Sequence, residues 1–132
     1  MSRHKDPVSP DMREAVFGRD RRFMAAAMEQ LDYGTIWVGG RLMAYAPHRS
    51  KGMVVCPAAY IEVAQLGKCW GRWTLDHIRS QPRLGRRAPS DMAHLISLCQ
   101  SHMEDGMKAG HQWNTANRPA IRKYLEEVNH MV

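Results

Sequence analysis

The sequence predicts an α+β chain in which two short β-strand pairs lie between helices at either end. Three observations predict it. Apolar residues recur at helical spacing between Asp11 and Leu31 and again between Ile121 and Val128. Two β-rich runs, Thr35-Ile36-Trp37-Val38 and Arg41-Leu42-Met43-Ala44-Tyr45, flank a Gly39-Gly40 dipeptide. Two further short apolar runs, one ending at Ile78 and one opening at His94, are separated by a loop holding Pro82, Gly85 and Pro89, and the second leads into Cys99-x-x-His102.

In chain order, Met1 to Pro10 reads as a loose polar arm, and Ser9-Pro10-Asp11 offers a helix start. The helix that follows carries Met12, Ala15, Val16, Phe23, Ala27, Met28 and Leu31 on its apolar positions. Gly18 interrupts the pattern, which predicts a kink or two shorter helices. Arg19, Asp20, Arg21 and Arg22 are expected on a solvated face. The Gly-Gly dipeptide predicts a tight hairpin turn. Ala46 to Gly52 is a basic loop, Met53-Val54-Val55 leads into Cys56-Pro57, and Ala58 to Gln65 reads as a short helical turn closed by Gly67. Cys69 precedes the strand that runs to Ile78, with Trp70 and Trp73 expected in the core. A helix is expected from about Cys99, limited by Gly106 and Gly110. Asn117 reads as the cap of a last helix, with Pro119 in its first turn and Ile121, Tyr124, Leu125 and Val128 on one face. Trp113 is expected to pack under that helix.

A length of 132 residues suits one domain with a modest core, the size range in which a metal ion often supplements packing. Net charge is +6 with a pI near 9.6, and 14 of the 19 basic residues are arginine, the side chain suited to bidentate phosphate contact. This balance argues for a polyanionic partner. The opening decapeptide is polar and lacks a secretion-type apolar stretch, and no apolar run approaches the ~20 residues of a membrane helix. The expectation is a cytoplasmic protein with no membrane partner, whose three cysteines are reduced or metal-bound.

The chemistry concentrates in Asp76-His77. A carboxylate can hold a hard divalent cation and an adjacent imidazole can take a proton from water near neutral pH. Neighbouring residues of a strand point to opposite faces, so both serve one site only where the strand ends. Arg79, Arg83, Arg86 and Arg87 follow with no acid before Asp91, placed to draw in a phosphodiester.

Asp76-His77-Ile78, the Gly- and Arg-containing loop and His94-Leu-Ile-Ser-Leu-Cys99-x-x-His102 together resemble the HNH family of endonucleases, over roughly residues 56 to 125. The tail from Gln112-Trp113-Asn114 to Tyr124-Leu125 resembles a subgroup common in phage genomes. The resemblance implies a ββα-metal finger stapled by a structural zinc, with residues 56–132 as the nuclease core and residues 1–55 as an arm, helix and hairpin packed on it within one domain. It implies a Cys3His zinc site of Cys56, Cys69, Cys99 and His102, using every cysteine. His77 matches the general base, Asp76 the ligand of a catalytic Mg2+, Mn2+ or other divalent transition-metal ion, and His94 the position that orients the base, where the family has asparagine. The third metal-ligand position is Met103, a poor ligand for a hard cation. Glu104 is the simplest replacement. His111, or Asp76 with water and phosphate oxygens alone, are the alternatives.

Double-stranded DNA is the substrate the resemblance implies, gripped by the four loop arginines and by Arg118, with Arg122 and Lys108 as further candidates. Nicking and full cleavage are both compatible, the latter through a dimer or sequential nicks. Phage relatives of this kind serve genome processing beside packaging proteins. Two other readings remain open: a non-catalytic zinc-stabilised DNA-binding module, supported by Met103 and His94, and an interaction subunit docking through its amino-terminal helix and hairpin.

Overall fold

A computed structural model describes residues 8–49, 51–78, 89–103 and 113–130. Helix α1 (Pro10–Glu29) starts where Ser9 Oγ accepts the Met12 amide at 3.1 Å and Pro10 sits in the first turn, where a missing N–H costs nothing. It is one continuous helix. Gly18 does not break it, because an isolated glycine weakens a helix by only ~1 kcal/mol relative to alanine and tertiary packing outweighs that. Strands β1 (Gly34–Val38) and β2 (Arg41–Tyr45) form the expected antiparallel hairpin, and the turn glycines adopt φ of 63° and 78°, which a residue with a Cβ rarely takes. Strand β3 (Met53–Val55) adds to β2, and α2 (Pro57–Ile61) with a 3-10 turn (Val63–Gln65) follows at once.

Strands β4 (Trp73–His77) and β5 (Leu95–Cys99) form a separate antiparallel pair, with Trp73 opposite Cys99 and His77 opposite Leu95. All five β5 residues are buried, so its apolar run reads continuously rather than alternating. The two sheets are tied by the Trp73 amide donating to the Gly40 carbonyl at 2.8 Å and by Trp73 Nε1 donating to Val55 O at 2.9 Å. A helical turn at 113–116 precedes α3 (Arg118–His130), whose buried face is Ile121, Tyr124, Leu125 and Val128, as expected. Asn117 donates its side-chain amide back to the Trp113 carbonyl at 2.9 Å and so joins the 113–116 turn to α3. The helix expected from about Cys99 does not start there: Cys99 ends β5 and residues 100–103 are turns, while residues 104–112 lie outside the described residues.

The charges expected on a solvated face of α1 are corrected by the fold. Arg19 and Asp20 are 2% and 0% exposed. The Arg19 guanidinium is forked on Asp20 through Nε (3.0 Å) and Nη2 (3.2 Å) and also donates to the carbonyls of Met92 and Leu95 and to Asn129 Oδ1. Asp20 further accepts the Ser97 amide (2.9 Å) and the Tyr124 hydroxyl (2.6 Å). A buried ion pair survives only when its remaining hydrogen-bonding capacity is met, and here β5 and α3 meet it. α1 is thereby locked onto β5. Trp70, expected in the core, is 49% exposed, whereas Trp73 is buried against Trp37 at 5.1 Å between ring centroids. Among the described residues no helix is long and apolar enough to cross a membrane.

Candidate metal centre

Four elements deliver the cysteines and His102 to one point. Cys56 is the residue before α2, and Pro57 opens that helix. Cys69 stands in the loop after Gly67, whose φ of 89° turns the chain back. Cys99 ends β5, and the His102 amide bonds to the Cys99 carbonyl at 3.0 Å, a tight turn that brings the i and i+3 side chains together. The four ligand atoms lie within 4.8 Å of one another, close enough to bind a metal ion such as zinc.

A tetrahedral zinc with Zn–S near 2.3 Å and Zn–N near 2.05 Å demands S–S edges of about 3.8 Å and S–N edges of about 3.5 Å. Cys56 and Cys69 Sγ are 3.7 Å apart, and His102 Nδ1 lies 3.8 Å from Cys56, 3.7 Å from Cys69 and 3.1 Å from Cys99. The first three edges fit within a few tenths of an ångström. The last is shorter than the tetrahedral edge by a similar amount.

The charge distribution of the cluster fits as well. Burial pushes the Cys56 thiol well above its ordinary value, and its sulfur neighbours push it further. Hydrogen bonds from Cys56 and Cys69 act in the opposite direction on Cys99 and hold its thiol far below the usual range. A divalent cation would stabilise the thiolates that burial opposes.

The surroundings of the four ligands were not legible in the sequence. His102 Nε2 is 2.8 Å from Gln65 Oε1, and Gln65 Nε2 donates to Glu62 Oε1 at 2.7 Å. An Nε2–H donated to Gln65 leaves Nδ1 as the lone-pair nitrogen facing the sulfurs, which is the tautomer a metal ligand needs. Ser101 Oγ stands 2.9 Å from Cys99 Sγ and donates to the Lys68 carbonyl at 3.1 Å. Trp113 packs edge-on against His102 at 5.0 Å and shields the ring from water.

Asp76 and His77 sit at the other end of the β4–β5 ladder. Three and four residue steps of a strand put them about 10 and about 13 Å from the Trp73–Cys99 end. Asp76 is 3% exposed and accepts Asn114 Nδ2 at 3.1 Å, while Asn114 Oδ1 accepts Arg118 Nε at 3.1 Å. Arg118, a candidate DNA contact, is thus joined to the Asp76 carboxylate through one amide. His77 Nε2 is 2.9 Å from Ser90 Oγ. His94, the candidate orienting residue, has its Nδ1 2.7 Å from Asp91 Oδ1, and its carbonyl accepts the Ile78 amide. Arg79, Arg83, Arg86, Arg87, Glu104, Lys108 and His111 lie outside the described residues. Met103 follows His102, its amide on the Cys99 carbonyl.

The turn at 113–116 links the two loci. Trp113 covers His102 and the next residue, Asn114, holds Asp76. The contacts of Gln65, Ser90 and Asn114 carried no sequence signal, because their partners are 13 to 38 positions away and no spacing rule connects them. No protein-family model matches this chain, and no curated protein or solved structure matches it either.

Proposed function

We propose that the chain is a metal-dependent DNA endonuclease of the HNH type, in which the Cys3His cluster is a structural zinc site and Asp76-His77 is the chemical centre. The observation that carries this reading is the β4–β5 pair. One end of its ladder supplies Cys99 and His102 to a metal-ligand cluster, and the other end presents a carboxylate beside an imidazole. The cluster sets the register of β5 at one end, and β5 in turn holds β4. The basic composition supports a polyanionic substrate.

The residues divide the work. His77 takes a proton from the attacking water, and its bond with Ser90 fixes the plane of the ring. Asp76, oriented by Asn114, offers a hard oxygen ligand. A divalent cation bound there supplies Lewis-acid polarisation of the scissile phosphate. Arg118, turned toward this end by Asn114, neutralises charge on the phosphate oxygens. Glu104 remains the favoured second carboxylate. A second reading, a non-catalytic zinc-stabilised DNA-binding module, is favoured by Met103 at the third metal-ligand position.

Incubation of the protein with supercoiled plasmid across Mg2+, Mn2+, Co2+, Ni2+ and Zn2+ tests the choice. Nicking that needs added metal and vanishes in His77→Ala, with DNA binding and zinc content retained, is the expected result. Undiminished cleavage by His77→Ala removes His77 from the chemistry. Binding without cleavage under every metal selects the second reading.

A further inference from the structure

Trp70 is the most exposed tryptophan among the described residues: it is 49% exposed, Trp73 and Trp113 are buried, and Trp37 is half-buried. Its neighbours two positions away, Lys68 and Arg72, are both exposed cations, while Cys69 between them turns inward to the metal cluster. Arg41, also exposed, opens β2 at the hairpin turn against which Arg72 packs: a Cβ on Gly40 would lie 3.2 Å from Arg72 Nε. A large aromatic face in water, with an exposed cation two residues to either side and a third on the adjoining hairpin, matches a ligand that is planar and anionic at once.

The segment carrying Trp70 is held at many points. The Lys68 amide bonds to Gln65 O at 3.0 Å, and the Lys68 carbonyl accepts Ser101 Oγ. Gln100 lies directly on Gly71, where a Cβ would come within 2.1 Å of its Oε1, and that oxygen accepts the Arg72 amide at 3.1 Å. The Trp73 amide is fixed to Gly40. The indole is therefore presented on a preorganised mount, and little ordering entropy is lost when a ring stacks on it.

We infer that Trp70, with Lys68, Arg72 and Arg41 around it, is a stacking platform for an unpaired nucleobase of a bound DNA strand, the cations meeting its flanking phosphates. This deepens the nucleic-acid reading given above, because it assigns a grip on single-stranded or locally opened DNA at the zinc end of the β4–β5 ladder, away from Asp76-His77. It does not depend on cleavage taking place there.

The test uses zinc-replete protein without other added divalent metal, so that binding is read apart from cleavage. A labelled oligodeoxythymidine reports affinity by anisotropy, and intrinsic tryptophan fluorescence reports stacking. Wild-type protein should bind with quenching of the exposed indole. Trp70→Ala should weaken binding about 5- to 150-fold, the range for one lost base–aromatic stack. Trp70→Phe should keep most of the affinity and lose the quench. Lys68→Ala and Arg72→Ala should each lower the salt slope by about 0.7, as for one phosphate contact on a single strand. Unaltered affinity in Trp70→Ala, quenching that persists in Trp70→Phe, or no binding by the wild type overturns the assignment. Plasmid cleavage that fails while Trp70-dependent binding persists overturns the nuclease reading alone.

Discussion

Replacing Cys99 by Ser removes one corner of the metal cluster, and the cost follows from the chain segments that the cluster closes. Cys56 to Cys69 encloses a loop of about 14 residues, and Cys69 to Cys99 one of about 31. In the chain-entropy description of cross-links, closing loops of these lengths in the unfolded chain is worth about 3 and about 3.7 kcal/mol. A zinc ion that holds all four ligands constrains both at once, so its loss removes roughly 6 to 7 kcal/mol, about half or more of the 5–15 kcal/mol by which most domains are stable. At about 3 °C per kcal/mol for a chain of this size, the melting temperature falls by about 20 °C.

Two measurements check this. A colorimetric chelator should release one zinc per chain from denatured wild-type protein and none from Cys99→Ser. Thermal unfolding by circular dichroism should show the drop in the variant, and the same drop in wild-type protein dialysed against a strong chelator. Cobalt in place of zinc should give thiolate-to-metal charge-transfer bands and tetrahedral d–d bands, both absent in the variant. Equal melting temperatures for wild type, chelated wild type and Cys99→Ser would refute the argument, since a cross-link that closes these loops cannot be removed without cost.

Two further outcomes are expected. Gln65→Ala leaves all four ligands in place but takes away the acceptor of His102 Nε2, so zinc affinity should fall about 10- to 100-fold in competition with a chelator; unchanged affinity would mean that Gln65 does not position the imidazole. Tyr124→Phe removes one of the hydrogen bonds on the buried Asp20 carboxylate and should cost about 2 kcal/mol in denaturant unfolding. Burial, and then the Asp20 charge, push the Tyr124 hydroxyl up, so the fold favours its protonated form. That contribution is intact below about pH 10, the unfolded value, and is lost as pH rises from there. The stability gap between wild type and Tyr124→Phe should therefore narrow above pH 10, and a gap that stays constant to higher pH would contradict the buried environment of this hydroxyl.

The elements legible in the sequence were those specified by local rules. Ser9-Pro10 started α1, the Gly39-Gly40 pair set the hairpin and its register, and the spacing of Ile121, Tyr124, Leu125 and Val128 named the buried face of α3. The four candidate metal ligands, which the fold brings close enough to bind an ion, were nameable because cysteine and histidine have few other uses in a small chain and Cys99-x-x-His102 is a local pair. Asp20 and Trp70 misled for one shared reason: whether a side chain is buried depends on what packs over it. Asp20 lies under Tyr124, 104 positions away, and Trp70 stays 49% exposed among the described residues.

By itself, then, the sequence determined the α+β class, the first and last helices, the hairpin and the β4–β5 runs, the candidate ligands and the adjacency of Asp76 to His77. Each depends on residues within a few positions of one another, where backbone preference and side-chain periodicity act. Tertiary structure alone decided that Arg19 and Asp20 lock α1 to β5, that Gln65 orients His102, that Asn114 ties Asp76 to Arg118, and that Trp70 faces water. Each of these depends on groups remote in the chain, brought together only because buried polar atoms must find partners once the apolar core has set where the elements lie.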